Sequence, residues 1–221
     1  MKLVKKLEIK SKENIINFLN SQSVGRIATI DQFGYPQVIP MNFVYVQAQI
    51  DNSIINQDAI YMHSYPLGEK IDNIKRNSKT GFEVDKHIAF LPSYYFHPTD
   101  ASQADTLYIS VVIKGKSFIV ENNEEKAFAL NALMEKYQKE GKYKRLDPRM
   151  QSVRTVTVIK IIPLDLHGKY KIGQHWVPSY RLKIAQNILA REGHQGSHIL
   201  NIMGIKILPD NTLELERQPF L

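Results

Sequence analysis

The sequence predicts a mainly β protein: an antiparallel barrel with a few helices decorating its rim. Three observations predict it. Runs rich in β-branched and aromatic residues recur along most of the 221-residue chain. Most connections between them are short, and helical periodicity is confined to a handful of segments. An apolar fraction of 43% supports a real core, and the length suits one domain, or one domain with an appendage.

Ile15, Ile16, Phe18 and Leu19 predict a helix over 12–20, with Ser11 as its N-cap. Val24 to Ile30 follows as a first barrel strand, then a turn at Asp31-Gln32-Phe33-Gly34. Tyr35 to Val46 forms the second strand. Its prolines, Pro36 and Pro40, place it at an edge or give it a bulge. A buried Asn42 beside that distortion needs partners for its amide, either the polar edge of a ligand ring or a neighbouring strand. Residues 47–59 are an enlarged hairpin connection, and Ile60 to Ser64 the third strand.

The third strand feeds the most informative stretch of the chain. Pro66 and Gly68 break the run, and Ile71 and Ile74 then recur at helical spacing up to Asn77. Lys70 falls in the first turn, where a cation opposes the macrodipole by about 0.3–1 kcal/mol. A phosphate seated on the free N–H groups there would explain it, with Ser64 adding a hydroxyl. Simple extension of the lysine into water explains it as well.

Thr80 to Asp85 alternates as a fourth strand. From His87 to Thr106 no pattern holds. The aromatic loop 91–98 either covers a flat ligand or packs on the barrel. A long strand covers 107–120, with a bend at Gly115. A helix over 124–140 is capped by Asn123 and ended by Gly141. Ala127, Leu130, Leu133, Met134 and Tyr137 form its apolar side, and Met134 and Tyr137 are assigned to the core. A strand from Val153 to Ile162 stops at Pro163. Beyond residue 176 come a helix over 179–191 and a hairpin of His198 to Leu208 with Leu213 to Glu216. This gives two parts: a barrel domain, 1–176, and a carboxy-terminal helix–hairpin extension, 177–221.

Composition narrows the function classes. The net charge is +7, from 29 basic and 22 acidic residues. The surplus is scattered apart from Lys139, Lys142, Lys144 and Arg145, which fit a solvated face. No zinc-finger, RNP-type or helix-turn-helix pattern is present, so no nucleic-acid partner is expected. Anionic small ligands suit such a surplus. No apolar run reaches the roughly 18 residues of a membrane span, and no apolar segment follows the amino-terminal lysines as in a signal peptide. Without cysteines there is neither a disulfide framework nor a thiolate metal site. A cytoplasmic protein without membrane contact is the expectation.

Several short motifs occur in a telling order: Gly25-Arg26-Ile27-Ala28-Thr29, Gly34-Tyr35-Pro36, Val38 to Tyr45, Tyr61-Met62-His63-Ser64, Gly68 to Ile74 and Phe82-Glu83-Val84-Asp85, followed by Tyr108 to Val112 and His167-Gly168-Lys169. Together they resemble the FMN-binding split barrels related to pyridoxamine 5′-phosphate oxidase, on the branch of nitroimidazole-resistance and flavin-nucleotide-binding proteins. The resemblance covers about residues 12–176. It implies an antiparallel split β-barrel and a homodimer with two sites at its interface. It also implies FMN with its phosphate near Ser64 and Lys70, assisted by Arg26. Met41 and Asn42 would line the flavin. His63 would lie near the flavin and contact a substrate carboxylate; the other reading is a structural histidine at a strand end. Lys169 and Trp176 would approach from the second subunit, although interface packing suits Trp176 equally. Ile109 stands where the branch often carries a basic residue, and the extension after 176 lies outside the pattern.

The function the resemblance implies is an FMN-dependent oxidoreductase for a small electron acceptor, with nitro-aromatic reduction one option and His63 the protein group nearest the chemistry. Two alternatives stand beside it: a flavin-binding carrier or sensor without turnover, and a haem-binding split barrel. The pair His194 and His198 brackets Gly196, which suits a surface loop better than a metal face.

Overall fold

In the computed structural model, which describes residues 4–49 and 56–216, an eight-stranded antiparallel sheet organises the chain. Its elements follow in order: β1 (Glu8–Ile9), α1 (Lys12–Ser21), β2 (Val24–Ile30), β3 (Pro36–Asn42), β4 (Val44–Val46), β5 (Ala59–Ser64), α2 (Glu69–Arg76), β6 (Lys79–Leu91), β7 (Asp105–Ile119), α3 (Asn123–Tyr137), α4 (Gln151–Thr155) and β8 (Thr157–Lys171). After the sheet come α5 (Pro178–Glu192), α6 (Ser197–Ile202), β9 (Ile205–Ile207) and β10 (Leu213–Leu215). The mainly β class and the split β-barrel are as expected.

The strand order is β3-β2-β6-β7-β8-β5-β4, with β1 on β8. β3 and β4 therefore lie at the two ends of the order. Yet Phe43 alone separates them in the chain. A sheet whose end strands are one residue apart in sequence must curl until its edges meet, so the connection at Phe43 closes the barrel. The single second strand expected over 35–46 is in fact these two edge strands. The prolines Pro36 and Pro40 sit in β3, where only β2 demands hydrogen bonds.

Contacts divide the described residues into two units. One holds 15–84 and 111–167; the other holds 4–14, 85–110 and 168–216. In the first, Ile27, Phe43, Ile60, Met62, Phe82 and Val158 are fully or almost fully buried. The Phe43 and Phe82 rings meet edge to face at 5.1 Å. Gly25 suits that place, because a Cβ on it would overlap the Phe82 ring. In the second unit, Leu91, Leu107, Ile184, Ile188, Leu200 and Met203 build a separate core. The extension 177–216 belongs to this second unit.

Several boundaries differ from the sequence-based expectation, each for a physical reason. β6 runs on to Leu91 instead of dissolving at His87. Thr80, Phe82 and Val84 are buried, then Ala89 and Leu91, so the alternation slips by one residue at 85–88 and no single period covers it. β8 passes through Pro163, which lies between Ile161, paired with β5, and Gly168, paired with β1. The proline therefore falls between the stretches of β8 that pair with β5 and with β1. Val153 belongs to the short helix α4, and the strand starts at Thr157. The cap of α3 is Asn122, whose Oδ1 accepts from Glu124 N at 2.8 Å and Glu125 N at 3.1 Å. The helix ends at Tyr137, before Gly141. The expected hairpin strand from His198 begins as α6, since Ile199, Leu200 and Met203 turn to one buried side. Residues 50–55 of the predicted hairpin connection lie outside the described residues.

Gly115 does not bend β7. The strand keeps its alternation from Leu107 to Ser117. What Gly115 provides is clearance, because a Cβ would lie 2.5 Å from the Ile162 carbonyl oxygen and 2.8 Å from Ile161 Cγ2. Gly115→Ala should destabilise the barrel by about 1–3 kcal/mol, as overpacked sites do. Urea unfolding of the two proteins checks this.

Candidate functional site

The barrel closure is held by a side chain from α3. Tyr137 Oη accepts from Phe43 N–H at 2.9 Å, and its own proton faces the carbonyls of Ser23 at 2.5 Å and Phe43 at 2.9 Å. Phe43 lies between strands, so its backbone groups have no ladder to join, and the phenol satisfies them. From the same helix, Lys136 places its ammonium 3.8 Å from the centre of the Phe43 ring and donates to the Leu19 carbonyl at 3.2 Å. Asn42 and Val44 leave this clamped residue in opposite directions.

Beside the junction is a cavity of about 350 Å³, lined by Asn42, His63, Leu130, Leu133, Met134, Tyr137 and Leu146. Leu130, Leu133, Met134 and Tyr137 are spaced i, i+3, i+4 and i+7, one stripe of α3. The assignment of Met134 and Tyr137 to the core is thereby corrected: both face the cavity. Leu146 is brought in by Asn131, which is 6% exposed. Its Oδ1 accepts from Leu146 N and its Nδ2 donates to Leu146 O, both at 2.9 Å. That reciprocal grip turns a long loop into a wall. The volume is within the usual range for small-ligand sites, and its lining, apolar with few polar groups, is typical of them.

Asn42 and His63 are therefore brought together. Asn42 is exposed, not buried, and its Nδ2 lies 3.5 Å from the Ser23 carbonyl. His63 is the exposed residue of β5, in register with Val158, between buried Met62 and Ser64. Met41 is half-buried on β3, in register with Gly25, and does not line the cavity. Arg26 pairs across the strands with Glu83 at 2.9 Å on an exposed face. Ser64 is buried and donates to the Tyr65 carbonyl at 2.9 Å.

Lys70 is the second residue of α2, after Gly68 at φ +123°. Glu69 and Asp72 stand in the same turn and complement the dipole. α2 is seated by Asn73, which donates to Thr29 Oγ1 at 3.2 Å. Arg76 also seats it, donating to the Ile30 carbonyl at 2.7 Å and Asn73 Oδ1 at 2.8 Å. Lys169 and Trp176 belong to the other unit. Lys169, in register with Glu8, lies 5.0 Å from the Tyr108 ring. Trp176 packs edge-on against Phe96 and Tyr180. Of the aromatic loop, Tyr95 is buried in that unit's core. Asn131 and Leu146 escaped the sequence reading, and Leu130 and Leu133 were read only as part of the apolar stripe on α3, whose partner surface cannot be read from spacing.

The described residues contain no group of three His, Cys, Asp or Glu side chains able to hold a metal. No helix among them is long and apolar enough to cross a membrane.

A split barrel with a small apolar cavity at its closure defines the class of protein. The family model described as pyridoxamine 5′-phosphate oxidase matches residues 11–169, and the chain belongs to that family. No curated protein matches significantly. Among solved structures, a candidate 5-nitroimidazole antibiotic resistance protein from Bacteroides thetaiotaomicron is similar at 27% identity and TM-score 0.57, over 74% of this chain and 86% of that one. A flavocytochrome from Azotobacter vinelandii matches at 15% identity and TM-score 0.59, over 77% and 72%. A protein from Mycobacterium smegmatis described as FAD and haem binding matches at 13% and 0.58, over 74% and 73%. These last two share the fold.

Tyr137→Phe should cost about 1–3 kcal/mol in urea unfolding, because it leaves the Phe43 N–H without its acceptor. Lys136 gives a pH signature. Burial pulls its ammonium from 10.5 down to about 8. Between those values the unfolded chain holds a proton that the folded one has released, so stability rises with pH across that window. Below it both states are charged and the folded state bears the whole burial penalty. Lys136→Met should flatten this rise, seen as a difference between the two proteins' unfolding midpoints from pH 7.5 to 10.

Proposed function

We propose that this is a flavin-binding split-barrel protein that uses FMN and reduces a small electron acceptor. The observation that carries the reading is the cavity at the barrel closure, where an apolar helix face meets the side chains of Asn42 and His63. Such a lining suits a flat ring with a polar edge. The donor set suits the rest of FMN through Lys70, which has no ion pair among the described residues. Arg26 is engaged with Glu83 and Ser64 with Tyr65, so they would assist only after exchanging partners.

A bound flavin supplies the redox chemistry. This chain's residues do the rest. The α3 stripe excludes water from one side. The Asn42 carboxamide offers both a donor and an acceptor to a ring edge. His63, exposed at a strand end, can hold or release a proton at an imidazole nitrogen facing a bound acceptor, or donate to its carboxylate. Lys70 and the first amides of α2 would take the phosphate, with Met41 beside the ring. The protein would act as a homodimer, with Lys169 and Trp176 of a second copy completing each site. The similarity to the candidate nitroimidazole-resistance protein supports a nitro-aromatic acceptor.

Purified protein should be yellow and release FMN on heating, identified by mass. Lys70→Ala should weaken FMN about 10- to 100-fold, the loss of one charge-assisted hydrogen bond. Unchanged affinity in a fluorescence titration would remove the phosphate assignment. Loaded protein that NAD(P)H never reduces, whatever acceptor is offered, would leave a carrier in place of an enzyme.

A further inference from the structure

Arg181 lies near the start of α5 and is 8% exposed. Its Nε and Nη2 are buried and without a hydrogen-bond partner among the described residues. These two nitrogens share one edge of the guanidinium. That edge makes the pair of parallel N–H bonds that match two oxygens of a carboxylate or phosphate. Lysine escapes burial by giving up its proton; arginine in a protein does not. Burial disfavours the Arg181 cation. A buried charge left unpaired is among the most costly features a fold can carry.

The surroundings add donors, and the carboxylate felt by His175 and Tyr180 is that of Asp105, which is already paired with Lys171. α5 has 15 residues, no acidic residue in its first turn and no capping side chain. Pro178 at its first position has no N–H, and the amides after it and the positive end of the dipole meet no anion from their own turn. Side chains on a helix lean toward its amino end, which carries Arg181 back to that start. His175, two residues before the Val177 cap, has a buried Nδ1 that also lacks a partner among the described residues. Trp176 and Tyr180, 5.7 Å apart between ring centres, give the same segment an apolar wall. The segment lies beyond residues 11–169, which the family model matches.

We infer that the start of α5 is an oxyanion site, with the Nε and Nη2 edge of Arg181 as a two-pronged clamp for a small molecule bearing a phosphate or carboxylate. The inference does not rest on the flavin reading and shares with it only Trp176, here part of the apolar wall. One internal competitor exists. Glu216 has a buried Oε2 without a partner among the described residues, and a rearrangement that joined it to Arg181 would make the pair structural.

Thermal unfolding of the full chain, titrated with sodium phosphate or sodium acetate at ionic strength held constant with chloride, separates the two. The wild-type Tm should climb with one or both anions, and which of them acts names the oxyanion. Arg181→Met in chloride alone should unfold at or above the wild-type temperature, because an apolar chain replaces an unpaired charge. Its apparent affinity for the active anion should be at least about tenfold weaker. A wild-type Tm indifferent to both anions would overturn the site. So would a matching loss of Tm in Arg181→Met and Glu216→Gln in chloride alone, the mark of an internal pair. If Arg181→Met does not fold, the wild-type titration decides by itself.

Discussion

Everything in the barrel depends on one connection, the single residue between its two edge strands. Phe43 alone stands between the end of β3 and the start of β4, and these strands bound opposite ends of the sheet order. A closed sheet leaves no room for a loop there, so the backbone of Phe43 falls out of both ladders while its ring is fully buried. The unpaired N–H and C=O must still be satisfied in place. Tyr137 does this with one oxygen, while Lys136 packs on the ring from the same helix.

The clamp has a second consequence. A helix tied by Tyr137 to the closure must present the preceding stripe, Leu130, Leu133 and Met134, to the neighbouring space. Asn131, on the same helix, grips both backbone groups of Leu146 and draws the following loop over the remaining side. Structural economy and site formation therefore share one element. The helix that satisfies the barrel's weakest backbone position also walls the cavity that Asn42 and His63 line. The second unit is built otherwise. Its core joins the ends of β6 and β7 to helices and a small hairpin that follow the sheet, and it holds the buried Arg181.

Local patterns revealed the elements far better than their ends. Ser11 caps α1 as its position suggests, its Oγ accepting from Asn14 N at 3.2 Å. Asp31 closes the following turn, accepting through Oδ1 from Phe33 N at 2.8 Å and Tyr35 N at 2.7 Å. Such bonds join residues two to four apart, and short-range chemistry dictates them. The misread boundaries arose where a distant strand set the rule. β6 changes its buried parity midway, and β8 runs on through a proline that falls between its pairings with β5 and β1.

The site shows the same division more sharply. Sequence by itself determined that His63 ends a buried strand, that Lys70 opens a helix, and that α3 has one apolar side, because each follows from periods of two or 3.6 residues along a single element. Only the tertiary structure decided what that apolar side faces. It made a cavity wall of residues that periodicity assigns to a core, and it paired Arg26 with Glu83 across two strands. It also left Arg181 buried without a partner among the described residues. The reason is physical: a period specifies which side of an element avoids water, whereas the partner on that side is chosen by strand order, closure and contacts between residues far apart in the chain.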